Sequence, residues 1–129
     1  MEELKEFVSF IKEKDKRKDY TVDNFYVPVM NGFMRNNELN HYEKLIYIYL
    51  QGYGQNCFVA HSTISKDLGI SRSTVIRTLK SLEEKDWLCV IQRYNEKERL
   101  TNVYIIAPLC DKTCEPNKAF VKLQRKLHT

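Results

Sequence analysis

Residues 62–82 read S-T-I-S-K-D-L-G-I-S-R-S-T-V-I-R-T-L-K-S-L, and this stretch decides the fold. Ser62 can cap a short first helix that ends before Gly69, because a serine hydroxyl accepts hydrogen bonds from the free amides of a first helical turn. Gly69 can adopt the positive φ that a sharp turn between two helices needs. Ser71 can cap a second, longer helix that runs to about Lys85. The stretch therefore predicts two helices joined by a tight turn.

Apolar and small side chains in this stretch have the spacing of two helices that cross in contact. Ile64 and Leu68 lie one turn apart and can seal the first helix against a core. Ser65 is small at the point where the helices cross, and Ile70 can fill the corner between them. The second helix carries an inward stripe of Val75, Leu79 and Leu82, with Ile76 beside it. We therefore expect a helix-turn-helix whose second helix is buried on one side only.

The sequence on either side of this pair adds a helix before it and a hairpin after it. Asn40 and Glu43 form a capping-box pattern at the start of a helix that Gly52 and Gly54 end. Strands are predicted over 57–60, 87–94 and 102–106, with a polar turn at 95–98. This order is that of a winged helix-turn-helix, in which the hairpin is the wing. The predicted fold class is α+β: a helical bundle with a two- to three-stranded β wing, plus N- and C-terminal helices.

The outward side of the second helix carries the candidate binding residues. Hydroxyl groups and long cations contact base edges and phosphates, so a helix that is buried on one side and presents them on the other fits the major groove of DNA. Cations at the wing can meet a phosphate backbone or the minor groove, although interleaved glutamates make the wing tip less basic. The candidate DNA-binding residues are Ser62, Ser71, Arg72, Ser73, Thr74, Arg77, Lys80, Arg93, Lys97 and Arg99.

Short motifs between Tyr26 and Ile106 form a recognisable set. They are Y-V-P at 26–28, E-K-L at 43–45, T-I-S-K-D-L-G-I-S-R at 63–72, T-V-I-R at 74–77, L-E-E-K at 82–85 and N-V-Y at 102–104. The set resembles the winged helix-turn-helix domains of phage and plasmid replication proteins of Gram-positive bacteria. The resemblance implies the same fold, a double-stranded DNA partner and a role in a mobile element.

One departure from that family stands directly after the second helix. Such domains often have Gly-Leu there, where this chain has Asp86-Trp87. Aspartate tolerates the left-handed conformation of a glycine better than most residues, so we expect Asp86 to adopt it. Trp87 is larger than leucine, and we expect it to pack under the wing.

Both ends of the chain carry segments that a winged domain does not require. We divide the chain into an N-terminal amphipathic helix and charged linker at 1–19, a winged helix-turn-helix domain at 20–108 and a C-terminal basic helix at 109–129. The apolar stripes of the two terminal helices are Leu4, Phe7, Val8 and Ile11, and Phe120, Leu123 and Leu127. Two alternatives are open: the stripes pack back on the domain, or they build a homodimer that pairs two half-sites on DNA.

Composition and motifs limit the other function classes. The 129 residues carry a net charge of +4, which permits a polyanionic partner without requiring one. The chain lacks a long apolar run and a signal-peptide pattern, so we expect a cytoplasmic protein with no membrane partner and with reduced cysteines. We find no phosphate loop, nucleophile elbow or carboxylate pair, so we expect no enzyme and no cofactor. Cys110, Cys114 and His128 have poor spacing for zinc, and no metal site is expected.

The biological role has several alternatives at this point. DNA binding could serve replication, DNA transfer or regulation in a mobile element, with replication or transfer proteins as partners. A length of 129 residues leaves little room for a helicase-recruiting domain, which favours a compact accessory or regulatory protein. A chromosomal-type transcriptional regulator would have the same motif. The acidic cluster of Glu83, Glu84 and Asp86 suggests a further alternative, a winged-helix protein-interaction module that does not bind DNA.

Overall fold

The computed structural model describes residues 26–54, 56–94, 97 and 99–128, so the predicted helix and linker at 1–19 lie outside the described residues. The elements are α1 (Asn31–Met34), α2 (His41–Gln51), β1 (Asn56–Phe58), α3 (His61–Leu68), α4 (Arg72–Glu84), β2 (Leu88–Tyr94), β3 (Arg99–Ile106) and α5 (Lys118–Leu127). Five helices and a three-stranded antiparallel sheet thus form an α+β winged helix-turn-helix within this part of the chain. The predicted fold class is confirmed.

The sheet has the strand order β1-β3-β2, with β3 in the centre. Cys57 pairs with Tyr104 on one side of β3, and Val90 pairs with Tyr104 on the other. The first strand ends at Phe58 and not at Ala60 as predicted, because the buried Val59 and the extended Ala60 already lead into α3. The register of the β2–β3 hairpin shifts between Ile91 and Arg93, which is the position of a β-bulge.

The main core fills the space between α2, α3, α4 and the inner face of the sheet. Its centre is an aromatic cluster in which the Trp87 ring lies 5.5 Å from Tyr47 and 5.9 Å from Phe33. The Tyr47 hydroxyl donates a 2.6 Å hydrogen bond to the Ala107 carbonyl. Trp87 is fully buried in the core cluster that contains Leu88, Tyr104 and Ile106 of the hairpin, so it lies beneath the wing. It packs at the root of the hairpin because α1 and α2 supply aromatic partners there.

The second layer is α5, which covers the outer face of the sheet. Val121 is fully buried against a cluster that includes Cys89, Val103 and Ile105. Of the predicted stripe, Phe120 packs against this cluster, whereas Leu123 is 53% exposed and Leu127 is 66% exposed.

Ion pairs set the rotation of α5 about its axis. Arg125 on α5 donates a 2.9 Å hydrogen bond to the Asp86 carboxylate and a second bond to the Glu83 carbonyl. Lys118 forms a 2.7 Å ion pair with Glu38 near the other end of the helix. These contacts turn Val121, and not Leu123 or Leu127, toward the sheet.

Glu43 joins the start of α2 to the end of α4. Asn40 and Glu43 form the predicted capping box, with each side chain accepting from the other's backbone amide at 2.9 Å. The Glu43 carboxylate also accepts from the Ser81 hydroxyl and from Lys85, both at 2.9 Å. Glu43 is only 1% exposed, and these hydrogen bonds replace the water that its carboxylate loses on burial.

Removing the Glu43 carboxylate should weaken the fold. The Glu43→Ala variant leaves Lys85, Ser81 and the Asn40 amide without their acceptor. We expect a loss of about 2–3 kcal/mol in the free energy of unfolding, below the value for a fully buried pair because Lys85 is partly solvated. Urea denaturation followed by circular dichroism measures this loss. Glu84→Ala, at an exposed position of α4, is the control and should stay within about 0.5 kcal/mol of the native protein. Equal stability of the two variants would contradict the role of Glu43.

The same contacts predict a pH dependence. Burial alone would raise the pKa of Glu43, but the hydrogen bonds from Asn40, Lys85 and Ser81 outweigh it and hold the pKa below its ordinary value of 4.5. A carboxyl with a lowered folded-state pKa stabilises the fold above its ordinary pKa and loses that contribution as pH falls through the folded-state value. The stability difference between the native protein and Glu43→Gln should therefore be constant near neutral pH and shrink below 4.5. Urea titrations across this range test it, and a difference that does not change with pH is the contrary result.

Candidate nucleic-acid interface

The first helix of the motif begins two residues earlier than predicted, at His61. Its N-cap is Ala60, which provides no side-chain cap, and the Ala60 carbonyl accepts from the Ile64 amide at 3.1 Å. The predicted Ser62 cap is therefore wrong, because Ser62 already lies inside the helix. Its side chain is exposed in the first turn of α3, where it is still a candidate for backbone contacts.

The turn between α3 and α4 has the predicted geometry. Gly69 has φ 68° and ψ 32°, the left-handed conformation that ends α3. The Ser65 hydroxyl donates a 2.6 Å hydrogen bond to the Ile70 carbonyl, so a small polar side chain holds the turn closed. Leu68 and Ile70 pack against the main core on either side of Gly69. These contacts fix the angle at which α4 leaves the turn.

The start of α4 uses hydroxyl groups to satisfy its own backbone and side chains. Ser71 is the N-cap and accepts from the Thr74 amide at 3.2 Å. The Ser71 hydroxyl also lies 2.7 Å from that of Thr74 and 3.2 Å from that of Ser73. Arg77 contacts the Thr74 hydroxyl at 3.4 Å. Ser71 and Thr74 therefore shape the helix end, which leaves the long cations as the groups best placed to reach a ligand.

Opposite faces of α4 differ sharply in exposure. Val75, Thr78, Leu79 and Leu82 are buried against the core. The residues Arg72, Ser73, Ile76, Arg77 and Lys80 are exposed. Four of these were predicted as site residues, whereas Ile76, which is 44% exposed, was predicted only to flank the inward stripe. An exposed apolar residue among cations suits contact with a thymine methyl group. The sequence could have indicated this exposure, because Ile76 follows the inward-facing Val75 by one residue and so lies to the side of the buried stripe.

The wing cations are placed differently from those of α4. The Arg93 side chain donates a 2.8 Å hydrogen bond to the Thr101 carbonyl, and its guanidinium lies 4.6 Å from the centre of the exposed Phe58 ring. Lys97 is exposed at the tip, and the structure describes only the backbone of Arg99. Arg93 is therefore committed to contacts within the sheet.

A groove lies between α4 and the wing. It has a volume of about 290 Å³ and is open to solvent. We call it the helix–wing groove, and its lining includes His61, Ile76, Lys80, Gln92, Asn102 and Tyr104. Lys80 was predicted as a site residue, whereas His61, Gln92 and Asn102 were missed. Only the pairing of β2 with β3 and their packing on α4 bring these residues together, so no motif in the sequence could indicate them.

The acidic cluster after α4 is used inside the fold. Asp86 has the predicted left-handed conformation, with φ 62°. Its carboxylate lies 2.9 Å from Arg125 and 3.9 Å from Lys122. Glu83 accepts a 3.0 Å hydrogen bond from the Val90 amide. Two of the three acidic side chains therefore join α4 to α5 and to the hairpin, which weakens the reason for a protein-interaction surface here.

Neither a metal site nor a membrane span is found in the part of the chain that the structure describes. No group of three or more His, Cys, Asp or Glu side chains there could hold a metal ion, and no helix there is long and apolar enough to cross a membrane. Cys57 and Cys89 are buried, and burial raises the pKa of the Cys57 thiol to about 12.

Comparison with known proteins gives the domain type. Residues 37–88 match a family described as a helix-turn-helix domain. The match covers α2, β1, α3 and α4 and stops at the first residue of β2, so it includes the turn at Gly69 and the exposed face of α4. A helix-turn-helix of this kind indicates DNA binding in general. No curated protein and no solved structure matched the chain.

The geometry of the turn can be tested at Gly69. A Cβ added there would meet no atom within 4 Å, so any effect of substitution comes from the backbone conformation alone. Gly69→Ala should lower the free energy of unfolding by about 1–2 kcal/mol, the cost of a left-handed L-residue. Gly69→Asn should lose less, since asparagine tolerates that conformation. Thermal or urea unfolding measures both variants, and an alanine variant as stable as the native protein would argue against this turn.

Proposed function

We propose that the protein binds double-stranded DNA in a sequence-specific manner, with α4 in the major groove. The observation that carries this proposal is the division of α4 into a buried apolar side and an exposed side with Ser73, Ile76, Arg77 and Lys80. An isolated cationic helix face could be solvated surface. This one belongs to a helix whose angle is fixed by a closed turn and a cap, which is the arrangement that reads base edges.

The exposed residues of α4 suit different parts of the duplex. Arg77 carries a guanidinium that can pair with the two acceptors on a guanine edge. Ile76 offers an apolar surface for a thymine methyl group, and Ser73 a short hydroxyl. Arg72 and Lys80, at either end of this face, are suited to phosphates. A helix with both apolar and bidentate groups supports discrimination among sequences, and not only attraction to charge.

The proposal includes a biological setting. The motifs that resemble phage and plasmid replication proteins support a role in a mobile element, in replication, DNA transfer or regulation. A homodimer is part of the same proposal. Leu123 and Leu127 on α5 are exposed, which supports α5 as a contact between two copies. Selection of bound duplexes from a random pool tests both ideas, because a dimer selects a palindrome whose half-sites are about one helical turn apart.

The assignment of Arg77 can be tested by substitution. Arg77→Ala should weaken binding to a selected duplex by roughly 1–3 kcal/mol and relax the preference at one base position. Binding to unrelated duplexes should change much less. Fluorescence anisotropy with both duplexes gives the two affinities. Lys112→Ala is the matched control, because Lys112 is an exposed cation on the turn before α5 and not on α4.

Two outcomes of that experiment would overturn the assignment. Equal loss of affinity for selected and unrelated duplexes would make Arg77 a phosphate contact only. Unchanged affinity for both would remove Arg77 from the interface. If the native chain binds no duplex even at low salt, the proposed function fails and a protein-interaction module takes its place.

A further inference from the structure

The helix–wing groove joins two elements that contribute different chemistry. From α4 come Ile76 and Lys80, and His61 comes from the first residue of α3. From the wing come the side-chain amides of Gln92 and Asn102. The helix side of the groove therefore combines apolar residues with one cation, Lys80, and one carboxylate, Glu83, and the strand side carries uncharged hydrogen-bonding groups.

The inner face of the hairpin changes its character along the strands. Near the root, Leu88 pairs with Ile106 and both are buried. One step outward, Val90 pairs with Tyr104, and beyond them the groove is lined by Gln92 and Asn102. The register shift between Ile91 and Arg93 interrupts the strict alternation of the strands, but Gln92 and Asn102 both line the groove, so the surface that packs on α4 continues as a pair of amides where the helix and the wing separate. Amides at that point can meet a ligand that enters the groove.

Arg93 and Lys97 do not line this groove. Arg93 contacts Thr101 and Phe58, and Phe58 is 55% exposed on the opposite face of the sheet from the buried Cys57. Lys97 lies in the turn beyond the strands. The wing residues that share the groove with α4 are thus the uncharged ones.

We propose that the helix–wing groove binds the sugar–phosphate backbone of one DNA strand, with Lys80 and the amides of Gln92 and Asn102 on a phosphate. This inference rests on the proposed function and deepens it. It assigns the wing's contribution to its inner-face amides and not to the cations Arg93 and Lys97. A strand held between α4 and the wing would fix how far α4 enters the major groove, because phosphate contacts set register and orientation.

Size and shape favour the backbone over a free small molecule. The volume of about 290 Å³ lies at the lower end of the volumes of small-ligand pockets. Such pockets enclose most of their ligand, whereas this groove is open along one side. Glu83 also borders the groove, but its carboxylate accepts from the Val90 amide, and Lys80 supplies the charge for an anion. One phosphate with its sugar, continuing in both directions as a strand, suits an open groove of this size.

The test uses the full chain and a duplex selected by it from a random pool. The Gln92→Ala/Asn102→Ala double variant should lose roughly three- to thirty-fold in affinity, as expected for two hydrogen bonds. The loss should be equal for the selected duplex and for an unrelated one, because phosphates carry no sequence information. The dependence of affinity on salt should not change, since the amides are uncharged, whereas Lys80→Ala should reduce the salt slope by about one.

Charge reversal and chemical substitution make the test sharper. Asn102→Asp places a negative charge in the groove and should cost more affinity than Asn102→Ala. Thr101→Asp is the control, because Thr101 is the preceding residue of β3, is exposed and does not line the groove. Methylphosphonates placed one at a time in the selected duplex should identify a phosphate whose neutralisation weakens the native protein but not the Lys80→Ala variant. Circular dichroism melting shows whether each variant is folded.

The outcomes separate this inference from the proposed function. If no duplex binds to the native chain, the proposed function fails, and this inference fails with it. If the native chain binds duplexes and the folded double variant binds them equally well, the groove is not a backbone site and only this inference is overturned. If Lys97→Ala costs more affinity than the double variant, the wing binds DNA mainly through its tip, and this inference is overturned.

Discussion

The ionised carboxylate of Glu43 is the constraint on which the orientation of α4 depends. It is 1% exposed, caps α2 and accepts from Ser81 and Lys85 at the far end of α4. A buried charge is tolerated only when its hydrogen bonds are complete, so α2 and α4 have to keep their relative position. Gly69 and Ser65 fix α4 at its N-terminal end. The exposed face of α4 is thus held at both ends.

The second layer of the fold extends this support to the wing. Asp86, directly after α4, pairs with Arg125 on α5, and Glu83 accepts from the Val90 amide on β2. The acidic residues that follow the binding face therefore act as structural links among α4, α5 and the hairpin. The surface that faces a ligand runs from Ser73 through Lys80 to the amides of the wing. These links hold its helix part and its wing part together as one surface.

Local sequence rules predicted those parts of the molecule that depend on near neighbours. The Ser71 cap, the capping box of Asn40 and Glu43 and the left-handed conformations of Gly69 and Asp86 each involve residues within a few positions, and each is confirmed. The inward stripe of α4 follows from helical periodicity alone.

The predictions that were wrong, and the features that were missed, depend on distant contacts. Ser62 is not a cap because the buried Val59 starts α3 early, and the phase of α5 depends on Asp86, 39 positions before Arg125. Trp87 packs at the hairpin root because α1 and α2 bring Phe33 and Tyr47 to it. The helix–wing groove requires strand pairing and helix packing together. Its amide side chains carry no motif, so the sequence indicated one cation of the groove and none of its neutral groups.

The central claim is that the exposed face of α4 binds duplex DNA. Nuclear magnetic resonance titration of the full chain, labelled with ¹⁵N, with a duplex selected from a random pool tests this claim most directly. If this face binds the duplex, the largest amide shifts should fall in α4, from its Ser71 cap to Lys80, and α5 and the turn at 110–116 should change little. Shifts concentrated on α5, or on the outer face of the sheet, with none in α4 would contradict it.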